Sequence, residues 1–182
     1  MYQELRRMQL GTLDCLVTGD LSPNSHVVLL LHGYGASETD FPPILPYLKN
    51  AKNYAWIFPR APLELDLGYG QSGYAWYPLR LSELQNSPQN GGMEALVKSA
   101  LEGFDSSRKK IENLILETKI PFSQWTLCGF SQGSTVALDV LLHSKELSEA
   151  VGIFSGTYVR EANWDSLAKN KPSQKYLITH GI

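Results

Sequence analysis

Cysteine is nearly missing from this chain: its 182 residues include only Cys15 and Cys128, which excludes a disulfide framework. Cys128 sits inside an apolar run and reads as a small buried hydrophobe. Charge of one sign is also scarce. Lys and Arg number 16 against 18 Asp and Glu, for a net charge of −2, and no run of like charges occurs, so nothing draws the chain to nucleic acid or an anionic membrane. The longest apolar run, Val27 to Leu31, is far too short to cross a bilayer, and no apolar segment follows the charged start from Met1 to Met8. No integral-membrane segment or secretory leader is expected, and the expected location is the cytoplasm. An H-E-x-x-H pattern and a Walker A loop are absent too, so no metal or nucleotide is expected. Repeats, low-complexity tracts and linkers are lacking, which leaves a single domain over 1–182.

What is present is the composition of a soluble globular protein, 43% hydrophobic and 19% charged, long enough for a sizeable core. Short apolar runs at Val27–Leu31, Tyr54–Phe58 and Trp125–Cys128 read as buried strands, and Ala150–Phe154 and Tyr176–Thr179 as two more strands. Leu10 to Val17 alternates weakly, as an edge strand would. Helical spacing marks Met93–Glu117, with Leu96, Leu101, Phe104, Ile111, Leu114 and Ile115 as its stripe, then Gln132–Leu142 and Ala162–Ala168. Thr39–Leu48 reads as a short helix with Pro42 and Pro43 in its first turn. Strands alternating with helices imply an α/β fold with a mostly parallel sheet and helices on both faces. From Pro59 to Asn90 the chain reads as loop, rich in glycine and aromatics, and equally suited to a binding lid or a packed surface segment. Its Gly68-x-Gly70-x-x-Gly73 is discounted as a dinucleotide fingerprint, because Tyr74-Ala75-Trp76-Tyr77-Pro78 follows it where a helix should begin.

The stretch with the most chemistry is Gly129-Phe130-Ser131-Gln132-Gly133, a G-x-S-x-G. With Gly and Ser each about 7% of residues, the pattern arises by chance in roughly one chain in fifteen of this length, so its placement carries the argument. It falls at the switch from strand period to helix period. There the glycines permit a sharp turn that lifts Ser131 clear of the sheet. A serine hydroxyl needs a base, the base needs an orienting acid, and the tetrahedral intermediate needs two N–H donors. The turn offers the Gln132 N–H. The loop after the Val27–Leu31 strand, His32 to Ser37, offers the other, with Tyr34 as the chosen donor.

With those residues in place, the chain resembles the phospholipase/carboxylesterase branch of the α/β hydrolases, the group that includes acyl-protein thioesterases. The resemblance rests on Leu31-His32-Gly33-Tyr34-Gly35, Pro59-Arg60-Ala61-Pro62, Ala75-Trp76-Tyr77 and Gly129-Phe130-Ser131-Gln132-Gly133, in the family's order. It implies an α/β-hydrolase fold and cleavage of carboxylic ester or thioester bonds, in a small-molecule or acyl-protein ester substrate, through an acyl-enzyme on Ser131, without a cofactor. It further implies Tyr34 and Gln132 as oxyanion donors and Trp76 as part of the acyl-binding wall. Tyr34 and Ala36 depart from the more usual Leu and Asp, and Ser134 from Gly. The resemblance also implies that the triad acid and histidine lie beyond residue 182, with the final strand and helix missing. The resulting exposed sheet edge at Tyr176–Thr179 would invite self-association. Asp165 and His180 do follow Ser131 in the order a triad requires, but His180 matches a non-catalytic family position. An inactive hydrolase-fold binding protein is the alternative function.

Overall fold

The computed structural model describes residues 4–79, 92–157 and 161–180, without the side chains of 92–102, 161 and 162. The Leu96 and Leu101 side chains of the expected stripe, and Asn90–Gly91 before it, lie outside the described residues. In chain order the elements are β1 (Arg6–Leu10), β2 (Leu13–Thr18), β3 (Val27–Leu31), β4 (Ala55–Pro59), β5 (Leu63–Asp66), β6 (Ser72–Ala75), α1 (Gly92–Thr118), β7 (Trp125–Phe130), α2 (Gln132–His143), β8 (Ala150–Phe154), α3 (Glu161–Lys169) and β9 (Tyr176–Thr179). A seven-stranded sheet runs in the order β1-β2-β4-β3-β7-β8-β9. β4, β3, β7, β8 and β9 pair in parallel, while the β1–β2 hairpin joins the β4 edge antiparallel.

Burial explains this order. β3 is VVLLL, buried at every position, and takes the place between β4 and β7 where both faces are covered. Val27, Leu29 and Leu31 point into the larger core with Trp125, Leu127, Val136, Val140, Ile111 and Leu114, beneath the α-helices. Val28 and Leu30 face the other way, onto Leu45, Ala51, Trp56 and Phe58, beneath 3₁₀ helices at Pro42–Tyr47 and Ala51–Asn53. α1, α2 and α3 are tied together at Asp139, which is fully buried. The Trp164 indole N–H donates to its Oδ1 at 2.7 Å, and Arg108 Nε lies 3.4 Å from Oδ2.

Three segments differ from the sequence reading. Leu10 to Val17 is not one strand: the chain reverses at Gly11, whose φ of +58° suits glycine, and β1 and β2 pair across the turn. The segment after Pro62 contains the β5–β6 hairpin, whose first strand is mostly exposed and carries no apolar alternation to read. Thr39–Leu48 holds a 3₁₀ helix with proline in its first turn. β9 ends the sheet, with Tyr176, Leu177 and Ile178 exposed by 73, 58 and 62%. Its neighbour β8 pairs Ile153 with Ile178 and Gly152 with Leu177, so apolar surface is open on both sides of that edge.

Candidate active site

The carboxyl ends of the parallel strands carry the loops that meet around Ser131, the position at which ligands approach an open α/β sheet. β7 passes into α2 through one residue, and that residue bears the strain: Ser131 has φ 51° and ψ −117°. Such a conformation costs a non-glycine residue about 1–3 kcal/mol and persists only where its surroundings impose it. Here the Ser131 N–H donates to Phe154 O at 2.8 Å, which ties the turn to the end of β8. Its carbonyl accepts from the Ser134 and Thr135 N–H groups at 3.1 and 3.3 Å and from their hydroxyls at 2.7 and 3.2 Å. The flanking glycines let the backbones close in. A Cβ on Gly129 would stand 2.4 Å from the Gly133 carbonyl, and a Cβ on Gly133 would stand 2.4 Å from the carbonyl oxygens of His32 and Leu31.

Two backbone amides adjoin this turn: Gln132 follows Ser131 in the chain, and Tyr34 follows Gly33, on which a Cβ would lie 3.5 Å from Ser131 Cβ. The Gln132 N–H opens α2 and has no intrahelical acceptor. The Tyr34 N–H meets no acceptor among the described residues. His32, 1% exposed, shapes the loop that carries Tyr34: its Nδ1–H donates to Gly33 O at 2.8 Å and its Nε2 accepts the Ala61 N–H at 3.1 Å. Both ring nitrogens are thereby occupied in one neutral tautomer, and burial holds the imidazole below its ordinary pKa.

The Gln132 side chain was not singled out from sequence. It is 3% exposed and grips the aromatic segment: Oε1 accepts from the Trp76 N–H and Nε2 donates to Tyr77 O, each at 2.7 Å. The Ser107 hydroxyl donates to Trp76 O, and the Trp76 indole N–H donates to His32 O at 2.8 Å. Trp76, expected in the acyl-binding wall, is 1% exposed and packs 5.5 Å from the His32 ring. The only sequence signal for this network is a glutamine next to the turn serine and a Trp-Tyr pair, with nothing local to join them.

Glu38 was likewise unremarked. It is 2% exposed, and Arg60 forks onto it through Nε at 2.8 Å and Nη2 at 2.6 Å, with Arg7 Nη1 at 3.0 Å. The Arg60 guanidinium, then burial working against it, then Arg7 shift its carboxyl from the ordinary 4.5 to about 2. The folded-state value is depressed, so the linked stability is present above pH 4.5 and is lost as pH falls towards 2. Urea unfolding is therefore expected to show wild type losing on the order of 2 kcal/mol more than Glu38→Gln between pH 5 and pH 2; parallel pH profiles would refute this.

No other described group stands in for a base at Ser131. Among the described residues no hydrogen bond joins the Ser131 hydroxyl to a histidine. His143 is half-buried rather than on an open helix face, with its Nδ1 2.9 Å from Asp139 O. Asp165 and His180 are both exposed, and no hydrogen bond between them is seen. Burial pushes the thiols of Cys15 and Cys128 up to about 12 and about 11, so both are neutral at pH 7. Among the described residues there is no His, Cys, Asp and Glu group able to hold a metal, and no helix long and apolar enough to cross a membrane. A groove of about 850 Å³ lined by Ile115, Leu116, Ile120, Phe122 and Val140 lies at the opposite end of β7, away from Ser131.

A mostly parallel sheet with helices, and a strained serine at the strand-to-helix turn of its central strand, define an α/β-hydrolase fold. The family model described as phospholipase/carboxylesterase matches residues 15–182, and the chain belongs to that family of hydrolases. It is 28% identical over 163 residues to acyl-protein thioesterase 1 of Kluyveromyces lactis, covering 85% of this chain and 67% of that protein. It is 26% identical over 143 residues to acyl-protein thioesterase 1 of Schizosaccharomyces pombe, covering 77% of this chain and 60% of that protein. The chain thus spans about two thirds of the length of these curated relatives. Among solved structures, esterase PE8 superposes with a TM-score of 0.69 at 24% identity, covering 91% of this chain and 73% of that one. Zea mays acyl-protein thioesterase 2 superposes with a TM-score of 0.63 at 20% identity, covering 92% and 75%. At these identities the superpositions speak to the fold.

Proposed function

We propose that the chain carries the nucleophilic half of a serine hydrolase that cleaves carboxylic ester or thioester bonds through an acyl-enzyme on Ser131. The observation that carries this reading is the strained Ser131 turn, with the Tyr34 and Gln132 N–H groups meeting no acceptor among the described residues. In this mechanism the Ser131 Oγ attacks the acyl carbonyl, and the oxygen that gains charge is held by those two N–H groups. They are fixed before the reaction, which is where such donors are most effective, each worth about a hundred- to a thousand-fold in rate. Collapse of the tetrahedral intermediate expels the alcohol or thiol, and water then releases the acid. Trp76 and the Gln132 side chain serve by backing the His32 loop. The reading assigns the general base and its acid to positions outside the described residues. Membership of the phospholipase/carboxylesterase family supports the reaction class, and the thioesterase relatives favour acyl esters or thioesters as substrates.

The lack of a histidine hydrogen-bonded to Ser131 among the described residues favours a second reading, a hydrolase fold that binds an acyl ligand without cleaving it. Intact-mass detection of fluorophosphonate labelling separates the two. Labelling that maps to Ser131 and vanishes in Ser131→Ala is the expected result. Because the reading places the base outside the described residues, this chain is compared with a form extended past Ile182: a folded protein that takes up no label in either form overturns the hydrolase reading and leaves the binding one.

A further inference from the structure

We propose that Glu38, gripped by Arg60 and Arg7, is a positioning residue that sets the aim of the Tyr34 N–H, so that an ion cluster outside the site governs the strength of its oxyanion hole. The inference rests on the hydrolase reading above.

The loop that bears Tyr34 is closed by one turn bond of its own, from the Ala36 N–H to Gly33 O at 3.3 Å, and is open at its tip. At its apex Gly35 has φ +79°, and a Cβ built there would meet nothing within 4 Å. Its position is therefore imposed by its anchors. Upstream, His32 is bonded to Ala61. In the middle, the Gly35 N–H donates to Tyr74 O and the Tyr74 N–H to Ala36 O, each at 2.9 Å, which joins the loop to β6. Downstream, Glu38 enters the protein and meets both guanidinium groups.

Arg60 connects the last two anchors. Its guanidinium forks onto Glu38, and its Cζ lies 4.8 Å from the centre of the Tyr74 ring. Its own N–H donates to Asp14 O at 2.7 Å, which seats it on β2. One side chain thus supports both the strand bridge and the loop's far end. A buried carboxylate is destabilising unless paired and hydrogen-bonded. If the pair is broken, Glu38 moves towards water and carries Ser37 and Ala36 with it, and with Ala36 goes the bridge that holds Gly35 next to Tyr34. Arg7 is the outer contact, with 64% of its side chain exposed, and supplies less. A lysine cannot reproduce the fork of Arg60.

The test compares wild type, Glu38→Gln, Arg60→Lys and Arg7→Gln, each in the form that labels, this chain or its extension past Ile182. The readouts are the rate of fluorophosphonate labelling, kcat and KM on a short aryl ester, and amide hydrogen exchange of the 33–38 loop and of β7. Glu38→Gln and Arg60→Lys are expected to lower kcat and labelling about 10- to 100-fold with KM nearly unchanged. Arg7→Gln is expected to lower them about two- to threefold. Loop exchange should quicken in the same order while β7 stays protected; loss of fold alone would change β7 protection and leave no split between kcat and KM. Wild-type kcat and labelling in a variant with native β7 protection overturn the proposal. If the two buried-pair variants lose β7 protection, Arg7→Gln decides, and unchanged labelling and loop exchange there overturn it. If wild type takes no label even when extended past Ile182, the hydrolase reading fails, and unchanged loop exchange in Arg60→Lys then overturns the clamp as well.

Discussion

Alanine at Gly133 is expected to leave little or no folded protein. The added Cβ would lie 2.4 Å from the carbonyl oxygens of His32 and Leu31 and 2.6 Å from the Leu31 carbonyl carbon. All of these are backbone atoms, so no flexible side chain can give way. Leu31 ends β3, which is paired on both sides, with β4 and with β7, and so cannot withdraw without breaking its ladders. α2 would have to rise off the sheet instead, and with it Val136 and Val140 would leave the core they share with Leu29 and Leu127. We expect a cost of about 4 kcal/mol or more, beyond ordinary overpacking and comparable with the whole stability of many domains. Soluble yield and urea unfolding measure it. A Gly133→Ala variant that unfolds cooperatively within about 1 kcal/mol of wild type would show that the helix and strand do not approach this closely.

Ser131→Gly is expected to be more stable than wild type and to take up no fluorophosphonate at all. The second half follows from the loss of the hydroxyl. The first follows from the backbone: at φ 51° and ψ −117° glycine relieves strain of about 1–3 kcal/mol. It gives back roughly 0.5–1 kcal/mol as extra freedom of the unfolded chain, leaving a net gain of about 1 kcal/mol. The hydroxyl has no hydrogen-bond partner among the described residues, so its removal leaves no partner orphaned. Urea midpoints and intact mass check both halves. A Ser131→Gly protein less stable than wild type would mean that the turn is not a store of strain.

The elements that could be read in advance are those whose signal is local. Ala150–Phe154 and Tyr176–Thr179 form strands at the expected residues, because each is an apolar run of the right length bounded by polar chain. The Trp125 strand and the helix that follows it were visible through the change of period on either side of Gly129-Phe130-Ser131-Gln132-Gly133. The functional roles attached to Ser131, Tyr34 and Gln132 remain to be tested by labelling. The β5–β6 hairpin was not visible, since β5 is mostly exposed and the buried positions of β6 are Gly73 and Ala75, which carry no strand signal; the Ala36–Tyr74 bridge joins it to the loop after β3. The partners of the Gln132 side chain lie 55 and 56 residues away, and those of Glu38 lie 22 and 31 residues away. At such separations a glutamine or a glutamate in the sequence looks the same whether it is solvated or clamped.

The residues alone settle that a serine is presented at the end of a central buried strand. The G-x-S-x-G pattern between the two periods suits so tight a turn, since a Cβ on either glycine would meet backbone at 2.4 Å, and both periods are properties of contiguous chain. Which groups surround that serine was decided by folding. The crossovers bring the end of β3, the turn after β4, the β6 strand and the start of α2 to one edge of the sheet. Contacts between those segments, not the propensity of any of them, choose the tautomer of His32 and the charge of Glu38.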